Sequence, residues 1–453
     1  MPTPLVTLAL FAGVAHADED VVATTASRPA VSIPHEKIEL DNGLDVILAE
    51  DHSVPFVWVN LWYNVGSKDE QAGRTGFAHL FEHLMFQGSE HYDADYFIPL
   101  QAVGARINGT TNFDRTNYFE GVPSEQLPLA LWLESDRMGW LLPALTEEKL
   151  KNQQDVVRNE RRQRYENRPY GMVWVWLFEN LYPEGHPYNV PTIGKHEDLE
   201  AATMADVQNF FKTWYVPNNA TLTLAGDFDR DEALGLVEKY FGDIPRGADT
   251  TPVLDRPAAL SEETVVRKED KVPHAKVWLA WLTPKLYAEG DAEMDIVSSL
   301  LTDGKDSRLY KHLVHDKQIA KDVQAYQYSA RLQSQFIIEA TAAAGHTTDE
   351  LVAEIDKLVA TLRDNGPTEA ELSVAKTNYE VRFYQSLQTI SRKADMLSSY
   401  NTVTGDPGFI GKDLQRYLDL DAARVHAAAK AWLPADKRVV LHVTPMNKKP
   451  EGN

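Results

Sequence analysis

One unit of pattern occurs twice in this chain and narrows the folds open to it. Val207 and Trp214, two helical turns apart, are followed by Pro217 and a strand-like apolar run at 220–228. Val425 and Trp432, then Pro434 and the run 438–444, repeat the arrangement in the second half of the 453 residues. Between the copies, RGADTTPVLDRPA at 246–258 is dense in Pro, Gly, Thr and Asp, the composition of a linker. Helix–turn–strand units are common singly. Repeated on either side of a linker, they imply two similar α+β halves descended from a duplication. The expected boundaries are 35–245 for an N-terminal domain, 246–262 for the linker and 263–447 for a related C-terminal domain.

Local patterns fill in the halves. KIELDNGLDVILAED reads as a hairpin around Asp41-Asn42-Gly43, and VPFVWVNLWYNVGS as a buried strand. GARINGTTNFDRTNYFEGVP has strand character, while LTEEKLKNQQDVVRNERRQRYEN has the period of a helix.

The chemistry concentrates in FAHLFEHLMF, residues 77–86. Residues four apart share a helix face, so His79 and His83 can present their imidazoles to one ion. Glu82 projects from nearly the same face, within reach of a water on that ion. This is H-x-x-E-H, the zincin motif reversed. The alternative is a core helix in which Phe77, Leu80, Leu84 and Phe86 pack inward and the histidines are incidental. Two histidines at ligand spacing with a carboxylate between them favour the metal.

Composition excludes several classes. Cysteine is absent, which removes disulfides, thiol catalysis and thiolate ligation together. The net charge of −22, spread along the chain, disfavours nucleic acid and anionic lipid as partners. No apolar run approaches the length of a membrane span. MPTPLVTLALFAGVAHADED has an apolar stretch followed by Ala15-His16-Ala17, so residues 1–17 are expected to be a signal peptide and the mature chain periplasmic. No Lys or Arg precedes the stretch, so either the true start lies upstream or the leader is atypical.

NGLDVILAEDHSVPFVWVNLWYNVGSKDE, GFAHLFEHLMF, RINGTTNFDRTNYFEGVP and HPYNVPTIG, in this order, resemble the pitrilysin/insulinase family of inverted zincins. The likeness is to its short branch, with the zinc-bearing subunit of mitochondrial processing peptidase and of paired bacterial proteases. It implies two homologous domains, each a mainly antiparallel sheet packed with helices. It also implies one Zn²⁺ per chain, with a third ligand on a later helix. Residue 160, 77 positions after His83, is Glu. By resemblance, then, His79, His83 and Glu160 hold the ion and Glu82 is the general base for hydrolysis of extended or unfolded peptides. The strand near Asn108 resembles the family's substrate-aligning edge, with Asn108 as a peptide contact.

Two positions depart from that pattern. Seven residues before Glu160, where the family usually has another Glu, this chain has Gln153, removing a charge near the site. In the C-terminal half, self-sufficient members carry an Arg–Tyr pair after a segment like SRLY; here the segment is Ser307–Tyr310, but the aligned residues are Val314 and Lys321. The expected partner is therefore a related zinc-less chain that supplies the pair in a heterodimer. The alternative within the family is a non-catalytic subunit, and outside it a peptide- or zinc-binding module. His312 and His315, nearby, read as surface residues.

Overall fold

A computed structural model describes residues 31–446, so the expected signal peptide lies outside the described residues. Two sheets organise the rest. The first contains β1 (Glu36–Glu39), β2 (Asp45–Glu50), β3 (Phe56–Tyr63), β4 (Arg106–Thr111), β5 (Thr116–Pro123) and β6 (Ala220–Gly226), in the order β1-β2-β6-β3-β5-β4. The second contains β7 (Thr264–Asp270), β8 (Lys276–Thr283), β9 (Ala320–Tyr328), β10 (Ser334–Ala342) and β11 (Val439–Pro445), in the order β7-β11-β8-β10-β9. With β1 set aside, the two orders are one topology. The last strand of each half, β6 or β11, inserts parallel to the first and antiparallel to the next. The repeated helix–Pro–strand unit of the sequence is this inserting element: helices Met204–Trp214 and Ala422–Trp432 lead into β6 and β11.

Each sheet carries helices of its own half and borrows one from the other. Helix Ile390–Thr404 packs on β3 and β6, and helix Val173–Leu181 packs on β8 and β11. The two contacts are made of different material. Val173, Leu177, Phe178 and Leu181 meet Trp278, Ala280, Leu441 and Val443 in a buried apolar cluster, each large side chain contributing about 1.5–3 kcal/mol. The other contact is polar. Ser398 Oγ donates to Thr223 Oγ1 at 2.8 Å, and Asn401 Nδ2 to Asp45 Oδ2 at 2.8 Å and Thr221 Oγ1 at 2.9 Å. Threonines in the fully buried β6 are thereby satisfied, as buried hydroxyls must be. Among the described residues no helix is long and apolar enough to cross a membrane.

Candidate metal centre

Helix Phe77–Leu84 is held at its start more tightly than propensity alone would hold eight residues. Gly76 caps it at φ +89°, and a Cβ there would lie 2.8 Å from the Ile193 carbonyl oxygen. Glu70 closes the N-terminus with both oxygens: Gly76 N–H donates to Oε2 at 3.0 Å and Ala78 N–H to Oε1 at 2.9 Å. Gly194, at φ +74°, presses the 191–194 turn so close that a Cβ would come within 2.4 Å of the Thr75 carbonyl oxygen. Arg161 Nη1 donates to the Gly194 carbonyl at 2.9 Å. One turn thus anchors both the histidine helix and the helix Glu147–Arg161, which carries Glu160.

The two helices bring the expected ligands together. Glu160 Oε2 lies 3.2 Å from His83 Nε2 and 3.8 Å from His79 Nε2. Donors on tetrahedral zinc, at bonds of about 2.0–2.1 Å, sit about 3.3 Å apart, so both carboxylate–imidazole distances are of the size one shared ion requires. Glu82 belongs to the same cluster, with one ligand-type atom each from His79, Glu82 and His83 within 4.8 Å of one another. Burial, with His83 beside it, pushes the His79 imidazole down to about 4, which keeps it neutral and able to ligate at pH 7. Burial opposes ionisation of Glu160, but its hydrogen bond to His83 and its electrostatic interactions with the neighbouring His79 and Arg164 hold the carboxyl below its usual range. Burial raises the Glu82 carboxyl, with the Thr111 hydrogen bond working against it.

Three neighbours of the cluster carry no signal in the motif. Thr111 Oγ1 donates to Glu82 Oε2 at 2.5 Å and orients that carboxylate. Thr111 ends β4, the outermost strand, which pairs with β5 on one side only. Gly109 on the same strand abuts Glu82, where a Cβ would lie 3.0 Å from Cγ. Arg164 Nη1 pairs with Glu160 Oε1 at 2.8 Å, from a distorted turn, Arg162–Glu166, that continues the helix. Asn108 is exposed on β4, its Oδ1 accepting from the Gly109 N–H at 3.0 Å. Gln153 is buried two turns before Glu160, and its amide donates to Asn152 Oδ1 at 2.9 Å rather than to a ligand.

The C-terminal positions lie elsewhere in character. Val314 packs against the second core, and Lys321 is exposed on β9 with Nζ 2.7 Å from His274 Nε2. His312 pairs with Glu354 and His315 with Asp316, so they do not converge on one point.

Fold and side chains together define a class, a two-half α+β chain with a cluster of two histidines and two glutamates in one half. A model described as "Insulinase (Peptidase family M16)" matches residues 45–183, and one described as "Peptidase M16 inactive domain" matches 201–379. The zinc protease PqqE of Helicobacter pylori is 29% identical over 419 residues, covering 91% of this chain and 93% of that protein. The crystal structure of a protease from Helicobacter pylori is similar at a TM-score of 0.84 and 27% identity, over 91% of this chain and 100% of that one. Pitrilysin shares the fold at a TM-score of 0.77 and 17% identity, over 93% of this chain but 45% of its own. The chain belongs to peptidase family M16, the insulinase family, and is zinc-protease-like.

Proposed function

We propose that this chain is the metal-bearing subunit of a zinc endopeptidase acting on extended or unfolded peptides. The observation that carries the reading is the convergence of His79, His83 and Glu160 beside a Glu82 held by the unpaired edge strand β4. Zn²⁺ bound by the three ligands supplies a Lewis acid for the scissile carbonyl and makes water acidic enough to react near neutral pH. A substrate strand pairs with the free edge of β4, passing the exposed Asn108. Thr111 fixes one oxygen of Glu82 and leaves the other free to take the water's proton, which Glu82 then delivers to the leaving amine. Gln153, neutral and buried on the Glu160 helix, leaves the ligands with one charge fewer around them.

Two features support a heterodimer with a related, zinc-less chain bearing an Arg–Tyr pair. Neither Val314 nor Lys321 can donate as that pair does, and this fold spans 45% of pitrilysin's chain, so two such chains match its length. The leader pattern supports export to the periplasm. The missing pair also favours a second reading, a chain that binds zinc and peptide without turnover when alone.

Zinc content and cleavage of quenched unstructured peptides, with and without a sister chain, test the proposal. Glu82→Gln keeps the metal and loses at least about a hundredfold in turnover, the usual size of general-base help. Glu160→Gln loses the metal. Undiminished turnover in Glu82→Gln, or normal zinc in Glu160→Gln, refutes these assignments.

A further inference from the structure

The chain carries a net charge of −22, yet RNERRQRYENR at 158–168 holds five arginines against two glutamates. Three of the arginines are committed to neighbours: Arg158 to Asp155 and Glu200, Arg161 to Glu166 and the Gly194 carbonyl, and Arg162 to Asn159. The other two line a cleft of about 380 Å³ between the halves. Arg164 is 70% exposed and touches Glu160 through one nitrogen. Arg168 is exposed and has no ion-pair partner among the described residues.

The opposite wall does not cancel them. Glu339 is the acid there, but its Oε1 pairs with Lys276 Nζ at 3.1 Å and its Oε2 accepts from Trp278 Nε1 at 2.6 Å. Tyr170 and Trp174 complete the cleft, giving an anion a planar, partly dry surround. Salt screens charges beyond about 8 Å, so a ligand in the cleft responds to these arginines and little to the distant acidic surface.

We propose that Arg164 and Arg168 form a subsite for a carboxylate of the bound peptide, so that chains with an acidic group near the cleaved bond are selected. This rests on the zinc-peptidase reading of the adjoining ligands. Guanidinium forks suit a carboxylate in geometry as well as charge. The Arg164–Glu160 contact, at 2.8 Å, makes the subsite continuous with the ligand set. The carboxylate comes from an Asp or Glu side chain or from the peptide's C-terminus.

Binding separates the subsite from the chemistry. Labelled unstructured peptides of roughly a dozen residues, enough to lie along an edge strand, carry one central Glu, Gln or Lys and a free or amidated C-terminus. Their affinity for the zinc-loaded Glu82→Gln protein is read by fluorescence anisotropy. Two partly solvated ion pairs, each worth about three- to fivefold, make the Glu peptide about tenfold tighter than the Gln peptide, with Lys weakest. Arg168→Glu, which sets one carboxylate against the remaining Arg164, abolishes the Glu–Lys order. Arg267→Glu, a charge change of the same size on β7, leaves the order as it was. Amidation that weakens binding more than Glu→Gln identifies the terminal carboxylate as the ligand. Equal affinity for all the peptides, or an order that survives Arg168→Glu, overturns the subsite. Failure of the wild-type protein and a sister chain to cleave any peptide overturns the peptidase reading and leaves the anisotropy result standing on its own.

Discussion

The two halves share a topology and differ in what one helix face is for. Helix Phe77–Leu84 follows β3, and helix Asp291–Thr302 follows β8, each opened by a left-handed glycine, Gly76 or Gly290. Counted from those caps, His79, Glu82 and His83 stand where the second half has Glu293, Ile296 and Val297. Ile296 and Val297 are fully buried, and Glu293 pairs with Arg424 and closes its own helix at Gly290. The later helices start at matching threonine caps, Thr146 and Thr368; fourteen residues on, Glu160 corresponds to Arg382, which is bound to Asp303. The shared scaffold therefore does not by itself make a site. Four side chains on two helices form the proposed metal centre in one half, and the other half uses the same places for packing and a surface ion pair.

Paired substitutions test how separable the halves are. His83→Ala removes one of the three proposed ligands, so zinc should be lost and peptide hydrolysis should fall by more than about a hundredfold, with little change in melting temperature of the metal-free protein. Ile296→Ala, in the corresponding turn, opens a cavity that costs about 2–5 kcal/mol and leaves zinc stoichiometry at one. Metal analysis beside thermal melts reads both. Loss of zinc in Ile296→Ala would show that the second core tensions the first.

The two glycine caps sharpen the comparison at lower cost. Each holds positive φ in a tight place: a Cβ at Gly290 would lie 2.8 Å from Pro284 Cγ. Replacing either with Ala costs about 1–3 kcal/mol of stability. Only Gly76→Ala also weakens zinc binding, because it shifts the helix that aims both histidines. Equal zinc affinity in Gly76→Ala and Gly290→Ala would detach the cap from the metal site.

What the sequence disclosed follows the range of each interaction. The strands, the H-x-x-E-H face and the repeated unit at Val207–Pro217 and Val425–Pro434 depend on residues a few positions apart, so periodicity reveals them. Glu160 came through family resemblance, since nothing local separates it from the other glutamates of its helix. The exchange of helices was not legible. Ser398 and Thr223 are 175 residues apart, and a threonine facing a borrowed helix looks like one facing water. Thr111 and Glu70 are hidden for the same reason. Thr111 reaches Glu82 across 29 residues, and Glu70 caps from six residues before Gly76, outside the spacing of a capping box.

Thr111 offers a smaller effect confined to the half that carries the histidine pair. Thr111→Val keeps shape and removes the hydroxyl that orients Glu82. A hydrogen bond to a charged group is worth about 1.5–3 kcal/mol, of which part is recovered by water, so kcat falls roughly tenfold. KM and zinc content stay near wild type, and Thr111→Ser restores most of the rate. Unchanged kcat in Thr111→Val would leave Glu82 oriented by the helix alone.

The smallest effect lies in the contrast between the exchanged helices, one seated on apolar side chains and the other on polar ones. Lys393, on helix Ile390–Thr404, reaches back to Asp51 of the first half at 2.8 Å. The Lys393 hydrogen bond, helped by Ser53, holds the Asp51 carboxyl down at about 2. Because the folded value is depressed below the ordinary 3.8, the pair contributes stability above pH 3.8, and the contribution fades as pH falls towards 2. Both side chains are about a quarter exposed, so solvent limits the contribution to less than about 1 kcal/mol. Lys393→Met should therefore lower stability slightly in denaturant melts at pH 7 and by less at pH 3. The apolar counterpart, Leu177→Ala, should cost about 2–5 kcal/mol with no such dependence, since its seat is built of apolar side chains. A Lys393→Met deficit that is the same at both pH values would mean that the helix is held by Ser398 and Asn401, and that Asp51 is bystander to the exchange.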